Sequence, residues 1–269
     1  MKKHLLLVII LLAFKIITYS QAQAYESKID YQKTMQPAAV IELPYKTDVV
    51  EDAIKDYMVK KGFKTSSAKG FNVLRGFKLD DADEGLSDLY FKVDRKKKDK
   101  DYSVVTLLAT KANGDILARP ATDSTGQMDK AKSLLNKLAP YIEAHNTDVE
   151  VNAQQDVLKK AQKKLDGYIS DSSDLEKKIR NIQLDAEQNK SDVTKATRDM
   201  ESALSADDDT KNKAKKKMNK LLDEQDNISK KLRKAQANLA ETKGYLKNQY
   251  AEVDKQQQVL DALKSKKIN

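Results

Sequence analysis

The chain has 269 residues, no cysteine and no tryptophan, and 34% of it is charged, with 50 Lys and Arg against 41 Asp and Glu for a formal +9. Without cysteine there are no disulfides, no thiol chemistry and no cysteine-borne lipid. Two histidines are too few for a His-rich metal site.

The chain opens on a basic Met1-Lys2-Lys3-His4, continues through an unbroken apolar run from Leu5 to Phe14, and reaches the small-x-small tripeptide Ala22-Gln23-Ala24. These are the parts of a secretory signal peptide, so residues 1–24 are expected to be removed by cleavage after Ala24. A membrane anchor needs about 20 apolar residues, and Lys15 cuts this run short. The expected address is therefore outside the cytoplasm of a bacterium, in the periplasm or beyond the cell, with no transmembrane span after cleavage. Cleavage would also remove Lys2, Lys3 and Lys15, leaving 47 basic residues against 41 acidic. The surplus is spread thinly: 21 basic and 19 acidic in residues 25–147, 26 and 22 in residues 148–269. Phosphate backbones are bound by stripes of one sign, so nucleic acid is not an expected partner.

Residues 25–37 are polar and end at Pro37, which reads as a flexible leader. Residues 38–147 read as a small α+β domain, an antiparallel sheet with helices on one face in the order strand, helix, strands, helix. Ala38 to Tyr45 suits a first strand. Asp48, with Glu51 three residues on, suits the N-cap of a helix carrying Val50, Ala53, Ile54, Tyr57 and Met58 and closed by Gly62. Alternating apolar residues then predict strands through Phe71–Leu79 and Leu89–Val93, with another at Tyr102–Ala109. Asn113-Gly114 signals a tight turn into a short strand at Ile116–Ala118. Met128, Ala131, Leu134, Leu135, Leu138 and Ile142 form a helical stripe, bent or interrupted at Pro140.

Residues 148–269 carry heptads. From Leu158 the core positions step by three and four through Ala161, Leu165, Tyr168 and Ser172 as far as Ala203, and they resume in a shifted phase from Met218 through Leu221 and Gln225 to Leu263. Each arm is a helix of about 55 residues, roughly 80 Å long. The rival to a hairpin is one uninterrupted helix in a parallel homodimer, which would crowd Asp207, Asp208 and Asp209 of one chain against those of its twin. Folding the arms antiparallel, so that facing residue numbers sum to 414, puts small residues opposite large ones, such as Ala186 with Ile228 and Ile179 with Ala235. It also sets Asn189 against Gln225 and Ser172 against Thr242, polar pairs that would fix the register. Leu165 against Gln249 and Leu158 against Gln256 are mismatched layers. The bend falls near residues 204–210, where Asp207, Asp208 and Asp209 would cap the positive end of the second helix. Asp199 would lie beside Lys217, Asp185 beside Lys231 and Lys164 beside Glu252, while Asp192 beside Glu224 would repel.

Chemical sites are sparse. Asp81, Asp83 and Asp88 are candidate ligands for a hard cation in a carboxylate-rich loop, but the ligand spacing of an EF-hand is missing and the loop reads as solvated acid. Arg95, Lys96, Lys97 and Lys98 are candidate anion contacts on a turn that equally serves solubility. His145, the one histidine outside the signal, reads as a polar helix-end residue. A hydrolase built on the Asp80–Asp88 carboxylates would lack a partner group at defined spacing, so no enzyme activity and no cofactor are expected. Val157, Ile169, Tyr245, Tyr250 and Val259 are apolar residues outside the heptad core near the open end of the hairpin. Either the helix Met128–His145 packs over them, the preferred reading, or copies of the chain associate there as a homo-oligomer.

The functional expectation is an exported structural or interaction protein, with an α+β head and a rigid coiled-coil arm that contacts a protein partner or the cell envelope. In its exported state, its basic pI of about 9.2 and its long helical hairpin, the chain resembles in outline the Skp family of outer-membrane-protein chaperones, which implies a periplasmic holdase. That family sets its hairpin between strands of an oligomerising body, whereas nothing strand-like follows Leu263 here.

Overall fold

A computed structural model describes residues 22–267 apart from 32, 80–84, 97–98, 100, 112–124 and 206. The elements are β1 (Tyr25–Tyr31), β2 (Thr34–Leu43), α1 (Thr47–Lys60), β3 (Ser66–Ala68), β4 (Phe71–Phe77), β5 (Ser87–Arg95), β6 (Ser103–Lys111), α2 (Thr125–Ala203) and α3 (Asp208–Lys266). The chain divides into two compact units at Glu150 and Val151, and α2 contributes residues to both. The expected Asn113-Gly114 turn and the strand at Ile116–Ala118 lie outside the described residues.

The first unit is built on one antiparallel sheet of order β1-β2-β6-β5-β4-β3. Its register explains the period-two pattern. Ala39 pairs with Leu107 and Leu107 with Phe91, while Ile41 pairs with Val105 and Val105 with Val93, so rows of apolar side chains cross one face. Onto that face pack Val50, Ala53, Ile54 and Met58 of α1 and Met128, Ala131, Leu134, Leu135, Leu138 and Ile142 of α2, in one continuous core. Both helices cover the same side, each through its one apolar stripe.

The opposite face carries a second apolar cluster of Tyr31, Ala38, Phe71, Val73, Tyr90 and Leu108. The Tyr31 ring meets Phe71 edge-on at 5.5 Å between centroids and Tyr90 at 6.3 Å. β1 is an outer strand and Phe71 lies on β4, four strands away in the order, so these contacts require a sheet that coils over this face.

Several local expectations are corrected. Residues 25–37 are not a leader: they form β1 and the first part of β2, with Lys28 opposite Pro37 and Tyr25 opposite Val40. Pro37 is tolerated because the β2–β6 ladder begins only at Ala39, so the missing N–H costs no bond to β6. Asp48 is not the N-cap of α1. Val50 N already donates to Lys46 O at 3.1 Å, which starts the helix earlier and places the Asp48 carboxylate in its first turn, still at the positive end of the dipole. The other end closes as expected, at Gly62 (φ 86°): Gly62 N bonds to Val59 O and Phe63 N to Met58 O, the paired bonds of a Schellman motif. At Pro140 the helix runs on; Pro140 lies inside α2.

The second unit is the helical hairpin of α2 residues 151–203 with α3. Ile179, Ile182 and Ala186 of α2 cluster with Ala235, Leu232 and Ile228 of α3, each pair summing to 414. The buried residues Leu158, Leu165, Ser172, Asn189, Ala196, Ala203, Gln249 and Leu260 are all heptad core positions. At the bend Asp207 is the N-cap of α3: Oδ1 accepts from Thr210 N at 2.8 Å and Oδ2 from Thr210 Oγ at 3.2 Å. These bonds hold the Asp207 carboxyl below its ordinary pKa, with the Thr210 amide as the main cause. Asp208 and Asp209 follow in the first turn.

Candidate interaction surface

Of the expected ligands for a cation, Asp81 and Asp83 lie outside the described residues, and Asp88 has a structural task. Its side chain is buried, accepting from Arg75 Nη1 at 3.1 Å and from Gly76 N at 3.0 Å. Gly76 has φ 67° and sits where the β4–β5 register shifts between Leu74 and Phe77. A β-bulge leaves an amide outside the ladder, and the Asp88 carboxylate takes up that amide from the neighbouring strand. Among the described residues no group of three or more His, Cys, Asp or Glu is placed to hold a metal ion.

Of the expected anion contacts, Lys97 and Lys98 lie outside the described residues. Lys96 is engaged inside the fold. Its ammonium pairs with Glu42 Oε2 and lies 5.6 Å from the centre of the Tyr102 ring, and Tyr25 Oη donates to Glu42 Oε1 at 3.4 Å. The Glu42 bond raises the Lys96 pKa, and burial followed by the Glu42 charge raises that of Tyr25. Arg95 closes β5 opposite Ser103. This cluster knits β1, β2 and the β5–β6 turn. A similar knot joins α1 to α2: Tyr141 Oη donates to Asp56, Lys60 Nζ donates to Tyr141 Oη at 2.9 Å, and the Tyr57 and Tyr141 rings meet edge-on at 5.2 Å. The tyrosine bond is the main cause that lowers Asp56 and raises Lys60.

The polar layers of the hairpin differ in detail from the pairs read from the heptads. Asn189 is buried, but Gln225 is exposed; the Asn189 amide donates instead to Leu221 O at 3.1 Å, and its Oδ1 has no partner. The Leu221 carbonyl stands one turn before Gln225 and points along α3 toward that layer, so the Asn189 amide meets it there instead of the Gln225 side chain. Ser172 is buried and Thr242 half-buried. The mismatched layers are resolved by glutamine reach. Gln249 is buried and donates to Ala161 O at 3.0 Å, while Gln154 donates to Gln256 Oε1 at 2.8 Å and to its backbone O at 3.0 Å. Of the flanking charges, Lys217 pairs with Asp199 at 2.9 Å, and Lys243 with Glu176 at 3.1 Å; Lys164 lies over the Tyr168 ring.

Residues 128–142 bury against the sheet, and Val157, Ile169, Tyr245, Tyr250 and Val259 are all exposed. Heptad geometry also splits them: Val157, Tyr245 and Val259 flank the core on one side, Ile169 and Tyr250 on the other. They are therefore not one patch.

One of them stands over a cleft. Tyr245, 47% exposed, stacks on the core residue Tyr168 with centroids 5.6 Å apart and planes 24° from parallel. Its hydroxyl donates to Glu241 Oε1 at 2.6 Å, which raises its pKa. Beside it lies an open cleft of about 500 Å³ lined by Asp171, Asp174, Leu175, Lys178, Asn238, Glu241, Thr242 and Tyr245. The ring is fixed on one side by the stack and at its tip by the carboxylate, so a contact to its free face costs little side-chain entropy. The heptad pattern singles out Tyr245 as an apolar residue outside the core repeat, but its stack on Tyr168 and its bond to Glu241 are not readable from the repeat.

No family model matches the chain, and no curated protein matches it. Among solved structures, CalU16 from Micromonospora echinospora is similar at 10% identity over 46% of this chain and 92% of that one, with a TM-score of 0.20. Likeness at that level supports no argument about fold or function. No described helix is long and apolar enough to cross a membrane.

Proposed function

We propose that the chain is an exported, non-enzymatic interaction protein whose coiled-coil arm contacts a protein partner and whose α+β head supports that arm. The observation that carries this reading is the Tyr168–Tyr245 stack beside an open cleft with a carboxylate-rich rim. Aromatic anchors with little rotamer freedom dominate protein contacts, and Asp171, Asp174 and Glu241 around this one favour a basic side chain in the partner. The test is a photo-crosslinking amino acid placed at Tyr245, with Leu184, an exposed residue on the arm's outer face, as control, in cells that export the chain. A discrete adduct from position 245 and none from 184 supports the reading. Equal labelling at both positions, or none at either, defeats it.

A holdase chaperone is the second reading, supported by a hairpin that closes within one chain, as the outline resemblance to the Skp family implies. Suppressed aggregation of an unfolded outer-membrane protein at stoichiometric ratio would favour it. A monomer inert in that assay removes it.

A further inference from the structure

Each flank of the hairpin is a ladder of seven layers, one residue of α2 beside one of α3 in every heptad. On the flank of Tyr245 ten of the fourteen positions are charged, whereas on the opposite flank only four are. That second flank also exposes three large apolar side chains, Ile169 (44%), Tyr250 (54%) and Leu222 (46%). The 3.1 Å pair of Lys243 with Glu176 fixes which of its residues share a layer. One heptad toward the open end of the hairpin, the repeat sets Ile169 beside Tyr250, and the layer after that is Gln162 beside Gln257. In the other direction Gln183 lies beside Gln236.

We propose that two copies of the chain associate along this flank, related by a two-fold axis parallel to the arm. Such an axis lays α2 of one copy on α3 of the other at the same height, so the contact is self-complementary. Ile169 of each copy covers Tyr250 of the other, Glu176 meets Lys243, and Gln162 meets Gln257. No layer sets like charges together, since Lys190 faces Ser229 and Lys264 faces Gln155. The same operation on the flank of Tyr245 brings Asp192 of one copy onto Glu224 of the other and desolvates the ten charges, which opposes association there. Seven layers run for about 63 Å, and a strip of that length one helix wide covers about 700 Å² a side, near the roughly 800 Å² of a standard interface. The Tyr245 cleft stays open on both outer flanks, so this association is independent of the partner contact proposed above.

The test is the oligomeric state of the full chain by sedimentation velocity, in the parent and in Tyr250→Glu. Tyr250 is exposed, and circular dichroism checks that the helices of the variant persist. A parent dimer whose Kd rises at least about thirtyfold in Tyr250→Glu, the effect of losing an interface hot spot, supports the proposal. A parent that is monomeric at every concentration, or a dimer that the variant leaves unchanged, overturns it. Disulfide trapping tests the axis, because the chain has no cysteine of its own. Gln162→Cys and Gln257→Cys are made in separate chains of different mass, mixed and oxidised. A bond between position 162 of one chain and 257 of the other, formed faster than either variant links to itself, supports the parallel two-fold; self-linking of either variant at an equal or higher rate overturns it.

Discussion

Replacing Asn189 by Leu is expected to stabilise the hairpin. Asn189 is 5% exposed, its Oδ1 is buried without a partner, and its amide bonds to Leu221 O. Removing the unpartnered oxygen relieves about 1–3 kcal/mol, and losing the amide bond costs about 0.5–1.5 kcal/mol. Leu221 lies mid-helix, where its carbonyl keeps the amide four residues on, so no orphan is left behind. The net expectation is a gain of about 1 kcal/mol, read in urea unfolding followed by helical circular dichroism, with the midpoint raised and the slope unchanged. Asn189→Ala is the control; it removes the same oxygen but leaves a void, and it should not stabilise. The gain in Asn189→Leu should come with weaker register, seen as cross-links between chains that the parent lacks, because a single polar core residue penalises alternative pairings. A loss of stability in Asn189→Leu would refute the reasoning and mark the amide as a net stabilising bond. Gln225→Ala, at an exposed position, should change stability by less than about 0.5 kcal/mol.

Asp88→Ala strips the partner from Gly76 N and Arg75 in the sheet and should cost about 2–3 kcal/mol by thermal or urea unfolding, with no dependence on calcium in the parent. Gly62→Ala forces a Cβ into the left-handed region and should cost about 1–2 kcal/mol, although the space around it is open. The Asp207 cap is pH-dependent with a definite sign. Its carboxyl pKa is depressed in the folded state, so its contribution is present above the unfolded value and is lost as pH falls through the folded one. Amide exchange at Thr210 should therefore speed up in acid beyond the intrinsic trend, and Asp207→Ala should show fast exchange at neutral pH; equal protection in the variant and the parent would argue against the cap. Short cross-linkers between cysteines placed at Ala186 and Ile228 should react within one chain, and products solely between chains would contradict the hairpin.

How much of this was legible in the sequence depends on what each segment buries. The arms were readable because the core layers repeat over many turns, so the 414 register holds at Ile182 with Leu232 and at Ala186 with Ile228. The partners of long polar side chains were not, because they are backbone carbonyls rather than facing side chains: Gln249 reaches Ala161 O and Asn189 reaches Leu221 O, each four residues before the facing position. β1 was missed because only one of its faces packs. Ser27, Ile29 and Tyr31 alternate with Glu26, Lys28 and Asp30, an edge-strand pattern in which charge on the outer face hid the period and Pro37 stood in its partner. β3, three residues of Ser and Ala, carries too little side chain to show any period. Asp88 was read with its acidic neighbours in sequence, whereas its partners Arg75 and Gly76 come from the adjacent strand.

The two flanks of the arm differ in kind, and this bears on where a partner binds. The flank of Tyr245 carries Lys164, Asp171, Lys178, Asp185, Asp192 and Asp199 on α2, with Lys217, Glu224, Lys231 and Glu252 on α3. The other holds fewer charges, Glu176 and Lys190 among Gln155, Gln162, Ile169, Gln183 and Thr197, with Lys243 and Lys264 among Leu222, Ser229, Gln236, Tyr250 and Gln257. Exposed ion pairs contribute little to folding, so the mixed charges of the first flank are not explained by the stability of the hairpin. At a contact they would act differently, opposing any partner of the wrong charge order while Tyr245 supplies the anchor. A partner bound there should dissociate faster in Tyr245→Ala and associate more slowly at high salt, whereas one bound on the other flank should respond to Tyr250→Ala and depend less on salt.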